Sequence, residues 1–168
     1  KRGFKRIMSS RNLDNDVEDE VVDKLVNTVD KAMPKLTHRY YKWKANQFGQ
    51  SSLDWWDRNA PLPHSSENLI KWSDAKDIIL DSFSSFHPEI SNLAELFFKN
   101  NWIDASLRKG KASGAFAHPS VPSLHPYILV NYQGKIRDVM TLAHELGHGV
   151  HQILAGKNGL LMAETPLT

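Results

Sequence analysis

Two imidazoles and a carboxylate set close together are the first residues of this chain equipped to do chemistry. They are His144, Glu145 and His148, in the run TLAHELGHGVHQIL. A helix advances about 100° per residue, so histidines four apart stack on one face with Glu145 beside them. That is what a divalent zinc ion asks of two neutral imidazoles, with a carboxylate near the place of a metal-bound water. With 8 histidines in 168 residues, an HExxH spacing is expected by chance far less than once. On a wheel with His144 at zero, Thr141, Glu145, His148 and His151 fall between roughly −20° and 100°. Val139, Leu142, Leu146, Val150 and Ile153 fall between about 160° and 240°. The spacing predicts a core helix over about 136–155 with one apolar and one reactive face. His151 stands about 10.5 Å along the axis from His144, so both cannot reach one ion on a straight helix.

The elements that must position this helix read as mostly helical too. Val17, Val21, Val22, Leu25, Val26 and Val29 recur at helical spacing and predict a helix over Asp14–Ala32. Pro34 opens a second, Lys35–Phe48, ended by Gly49. The run SSLDWWDRNAPLP marks a break. A helix over Ser73–Phe86 follows, with Ser73 as N-cap and Asp74 and Asp77 near its positive end. Pro88 opens another, Glu89–Asn100, with Ile90, Leu93, Leu96 and Phe97 facing inward. Between Lys109 and Gly134 the texture becomes β-like, in the runs 115–118 and 127–132 around PSVPSLHP. That element, about 114–132, reads either as a plain antiparallel pair covering the core or as an exposed edge to which a peptide adds itself. Asp138 is placed to complement the dipole at the start of the HExxH helix. The expected fold is mainly α, with helices over about 14–100 and a small β-hairpin-like element just before the reactive helix.

Composition narrows the classes. The chain has one domain's worth of residues, 40% hydrophobic and 24% charged, as in an ordinary soluble globular protein. A net charge of +2 and aromatics set within apolar runs give no footing for nucleic acid. No apolar run reaches the ~18–20 residues that span a bilayer, and no segment reads as a signal peptide, so no membrane role is expected. The basic start, KRGFKRIMSSR, reads as a solvated helix face or junction segment ahead of the alternative, a transit peptide. Without cysteine, a metal must be held by histidine and carboxylate, and a reducing compartment fits. A metzincin would need Gly and His where this chain has His151 and Leu154, and the reversed HxxEH order is absent. The chain starts without Met and stops at Thr168, after LLMAETPLT, and is expected to be a piece of something longer.

The runs YKWKA, LDWWDRNAPLP, FFKNNWIDA, GKASGAFAHPSVPSLHPYILVNY, RDVMTLAHELGHGVHQ and LMAETPLT together resemble the oligoendopeptidase F group of the thimet-oligopeptidase family. The similarity runs from about residue 35 onward. It implies a fragment of a zincin-type helical catalytic domain, a single partial domain over 1–168 with the rest of the enzyme absent at both ends. The implied activity is that of a cytoplasmic zinc metalloendopeptidase cutting oligopeptides in a deep cleft. By resemblance His144 and His148 are zinc ligands, Glu145 is the catalytic base, and Gly114, Ala115 and Phe116 lie along the substrate cleft. His151 recurs in the family motif without being a ligand.

One part of that pattern is missing. The resemblance implies a third zinc ligand, a glutamate on a following helix roughly two dozen residues after the second histidine, beyond a TPLT-like segment. This chain stops within that segment, and Glu164, 16 residues after His148, precedes it. The expectation is therefore a chain without appreciable peptidase activity alone. The rival expectation, from another class, is a non-catalytic remnant or split piece that needs the missing remainder as a complementary chain.

Overall fold

The structure is a computed structural model and describes residues 3–63 and 68–164. The described residues divide into two compact units, 3–63 and 68–164. Each is taken by itself.

The first unit is helical: α1 (Ser9–Asp14), α2 (Asp19–Ala32) and α3 (Thr37–Gln47). The helix expected from Asp14 begins at Asp19. The chain breaks at Asp16, whose φ is 53°, and Ser9 Oγ and Asn12 Nδ2 donate to the Asp19 carboxylate at 2.6 and 2.7 Å. Those two bonds, ahead of the nearby Arg6 charge, hold the Asp19 carboxyl below its ordinary range. Periodicity locates the apolar stripe but not a polar tether of this kind. Likewise α3 starts at Thr37 and not beside Pro34, which lies in the turn leaving α2. Lys44 of α3 is buried, its ammonium donating to the carbonyls of Asp57 (3.1 Å) and Arg58 (2.8 Å) in the 3-10 turn Trp55–Asn59.

The second unit carries α4 (Trp72–Phe86), α5 (Pro88–Lys99), β1 (Ile103–Asp104), β2 (Phe116–His118), β3 (Tyr127–Leu129) and α6 (Ile136–Gly156). Pro88 opens α5 as the sequence indicates, with His87 Nδ1 accepting from the Glu89 N–H at 3.3 Å. Ser73 is not the N-cap of α4; Lys71 is, and the Ser73 hydroxyl bonds Asp74 within the first turn. The start is set by Trp72, whose ring packs edge-on against Tyr132 with centroids 5.1 Å apart.

The β element is larger than a hairpin. β2 and β3 pair antiparallel, Ala117 opposite Ile128, and β1 adds to the other side of β3 in parallel, giving the order β1-β3-β2. Lys111 fastens the added strand. Its side chain is 2% exposed, and its ammonium donates to the carbonyls of Asp104 (3.0 Å), Ser106 (2.9 Å) and Val130 (2.7 Å). Such a buried ammonium is stable only because each direction it points meets an acceptor.

Ile79, Phe97, Ile128, Leu142 and Leu146 form the centre of the core, each worth about 1.5–3 kcal/mol on burial. Two glycines serve this packing. At Gly149 a Cβ would stand 2.5 Å from the Phe97 ring, so the residue lets α5 approach α6. Gly134 has φ +89° and its turn lies against Ile70, whose N–H donates to the Gly134 carbonyl at 2.8 Å. The left-handed backbone there suits glycine alone at no cost.

Candidate active site

α6 carries the reactive residues, and its start is fixed locally. Asp138 Oδ2 accepts from the N–H groups of Lys135 (3.0 Å) and Gln133 (2.8 Å), satisfying donors at the positive end of the helix. The apolar side behaves as the wheel requires: Val139, Leu142, Leu146 and Val150 are buried, and Ile153 is partly buried.

On the opposite side His144 and His148 are exposed, their rings nearly perpendicular at 88° with centroids 4.6 Å apart. Their Nε2 atoms converge to 3.0 Å. One ring's N–H facing the other's lone pair accounts for that approach. Two nitrogens bound at 2.0–2.1 Å in a tetrahedral shell stand about 3.3–3.4 Å apart, so this pair needs little movement to share one zinc ion. Donor type and spacing therefore fit two positions of a zinc site. Among the described residues no third His, Cys, Asp or Glu joins them, and Glu164 is exposed beyond the 3-10 turn Leu160–Met162. His151 faces a separate apolar hollow of about 440 Å³ with Phe83, Phe86 and Ile90.

Glu145 departs from expectation. The wheel places it on the reactive face with the histidines, yet it is only 7% exposed. It lines a cavity of about 350 Å³ together with Gly114, Ala115, Asn131, Tyr132, Arg137 and Thr141. Two of the three residues assigned to the substrate cleft, Gly114 and Ala115, thus share a cavity with Glu145. Phe116 is outside that lining, half-exposed on the edge strand β2. A larger hollow of about 650 Å³, beside Trp72, Lys76 and Asp104, is lined by neither Glu145 nor an imidazole.

The residues that complete the cavity carried little sequence signal. Asn131 ends a β-like run, and nothing in that run marks it as a brace. Its Nδ2 donates to the carbonyls of Ala112 (3.0 Å) and Gly114 (2.9 Å). Those bonds hold the approach to β2 against β3. Tyr132 donates its hydroxyl to the Ile70 carbonyl at 2.8 Å. Burial, with Asp138 and Asp74 nearby, raises its phenol above the ordinary value and keeps it protonated. Arg137 could have been found on the wheel, where it falls at about 20°, in line with both histidines.

Two imidazoles four apart on one helix face, with a glutamate beside the first, is the spacing of the HExxH motif. The comparisons show a peptidase family. The chain belongs to peptidase family M3, whose sequence profile matches residues 1–167. It is 33% identical over 159 residues to an oligoendopeptidase F homolog of Borreliella burgdorferi, covering 94% of this chain and 27% of that protein. It is 30% identical over 144 residues to oligopeptidase PepF of Bacillus subtilis, covering 86% of this chain and 21% of that one. Among solved structures it is similar to a candidate peptidase from Chlamydophila abortus (TM-score 0.74, 26% identity, 98% of this chain and 27% of that chain). It shares the fold of PZ peptidase A, solved with an inhibitor (TM-score 0.75, 20% identity, 92% and 28%). The chain spans about a quarter of the length of these relatives.

Proposed function

We propose that this chain carries the catalytic face of a zinc metalloendopeptidase that hydrolyses peptide bonds of oligopeptides in the cytoplasm. The observation that carries the reading is the convergence of His144 Nε2 and His148 Nε2 at 3.0 Å, one residue from the shielded carboxylate of Glu145. Family membership supports peptidase activity. No helix among the described residues is long and apolar enough to cross a membrane.

His144 and His148 would hold the zinc through their Nε2 atoms. When bound, zinc supplies Lewis acidity that polarises a carbonyl and acidifies water near neutral pH. Glu145 takes a proton from the attacking water and returns it to the leaving amine nitrogen. Its burial keeps bulk water from competing for that proton. Gly114 and Ala115 offer backbone groups along the cavity for the peptide main chain.

Catalytic zinc sites usually have three protein ligands. The described residues bring two together, which favours a second reading: the chain is a piece whose site is completed by a complementary polypeptide. Both readings predict weak zinc binding and no appreciable turnover by this chain alone.

The test is metal analysis and cleavage of an internally quenched peptide, for the chain alone and extended through the following helix. Zinc uptake should fall with His144→Ala or His148→Ala, and Glu145→Gln should abolish turnover in the longer chain. Uptake indifferent to both histidines would end the reading. Turnover by the short chain that vanishes in Glu145→Gln would show a complete site, with Glu164 the first candidate for the third ligand.

A further inference from the structure

β2 and α6 run in the same direction through the site. Ala115, entering β2, shares the cavity of Thr141 and Glu145, and the Ala117 carbonyl accepts from Gln152 Nε2 at 3.4 Å, two turns further along α6. β2 pairs with β3 on one side and, among the described residues, with no strand on the other. A peptide can add to that free edge in either direction. An antiparallel peptide would run from the His118 end toward the Gly114 end and carry its C-terminus to the mouth near Arg137.

Arg137 is exposed, lines the same cavity, and forms no ion pair among the described residues. The nearest acid in sequence, Asp138, lines the cavity too, with its Oδ2 accepting from the N–H groups of Gln133 and Lys135. Arg137 lies on the same face of α6 as His144, seven residues earlier, so about 10.5 Å along the axis. An extended peptide covers that in about three residues.

We infer that Arg137 is a specificity residue for the peptide carboxylate: it binds a carboxylate about three residues beyond the bond that faces His144, and so sets the peptide antiparallel to β2. This rests on the peptidase reading for its substrate class but not for its test. A guanidinium fork matches a carboxylate with two parallel hydrogen bonds, which an amide cannot receive with the same charge. The carboxylate can be the chain terminus or an acidic side chain.

The test is a chemical-shift titration of the ¹⁵N-labelled full chain in chelator, where no zinc-dependent cleavage intrudes. Three hexapeptides are compared: a free acid, its C-terminal amide, and an amide whose last residue is glutamate. The free acid should bind about tenfold more tightly than the plain amide and shift the Gly114 and Arg137 amides. Arg137→Gln should erase the difference, and Arg137→Lys should keep part of it. The glutamate amide binding like the free acid would assign a side-chain carboxylate as a second source; its binding like the plain amide would restrict the site to the terminus. Equal binding of acid and amide, no binding of either, or a preference that survives Arg137→Gln would overturn the inference. Failure of the peptidase reading would appear separately, as absent zinc-dependent cleavage by the chain extended through the following helix.

Discussion

α2 and α6 have the same kind of sequence and different fates. Both carry apolar residues at helical spacing, yet none of the residues of α2 is buried, while α6 buries seven. Val21, Leu25, Val26 and Val29 of α2 are at least half exposed. The apolar face of α6 meets Phe97 of α5, at contact so close that a Cβ on Gly149 would stand 2.5 Å from the ring. Periodicity states which face of a helix is suited to burial; topology supplies what covers it. The reactive face of α6 is held rigidly because the face behind it is filled.

Substitutions can break or sharpen that contrast. The largest effect should come from Leu146→Ala, which empties a fully buried position directly behind the histidines. It should lower the unfolding free energy by about 2–5 kcal/mol in urea titration; a loss under ~1 kcal/mol would mean the two helices are packed alike. Gly149→Ala comes next. Alanine is favoured over glycine in a helix by about 1 kcal/mol, but forcing a methyl into the buried Phe97 ring costs about 1–3 kcal/mol. Net destabilisation of up to about 2 kcal/mol is expected, and a stabilised variant would show that the ring has room.

A pH-dependent contribution is smaller. Hydrogen bonds from Arg108 and then Lys111 lower the Asp104 carboxyl to about 2. An unfolded aspartate titrates near ~3.9. The folded value is the lower one, so the stabilisation is complete above the unfolded value and fades as pH falls through 2. Acid unfolding followed by circular dichroism should therefore be shallower between pH 4 and 2 in Asp104→Asn; an unchanged limb would remove Asp104 from the account. The smallest effect belongs to α2. Val26→Ala, at a position 59% exposed, should change stability by no more than about 0.5 kcal/mol. A loss near that of Leu146→Ala would erase the contrast.

The sequence carried α6 almost to its ends because its signals are local: Asp138 at the start and the recurrence of Leu142, Leu146 and Val150 along it. Pro88 opened α5 for the same reason. β1 was not legible, since two residues make no alternation. The strand exists because β3 bonds Trp102 and Asp104 across it and Lys111 reaches in from a loop. The seclusion of Glu145 was hidden for a related reason. A wheel ranks residues around one helix, whereas the cavity wall comes from Asn131 and Tyr132 just past the end of β3. The spacing of His144 and His148 was legible in the chain, but not the depth of the carboxylate between them.

The contact between Gly134 and Ile70 has a consequence for how the site could be watched. Ile70 lies just ahead of α4, and the Tyr132 hydroxyl reaches its carbonyl from 62 positions away. The Ile70 amide hydrogen, bonded to the Gly134 carbonyl, can exchange with solvent only when this long loop parts. Its deuterium uptake then reports the opening of the span that includes α4, α5 and the sheet, with the connection into α6 at its end. Peptide added to the β2 edge should slow that uptake if the cavity and the loop open together.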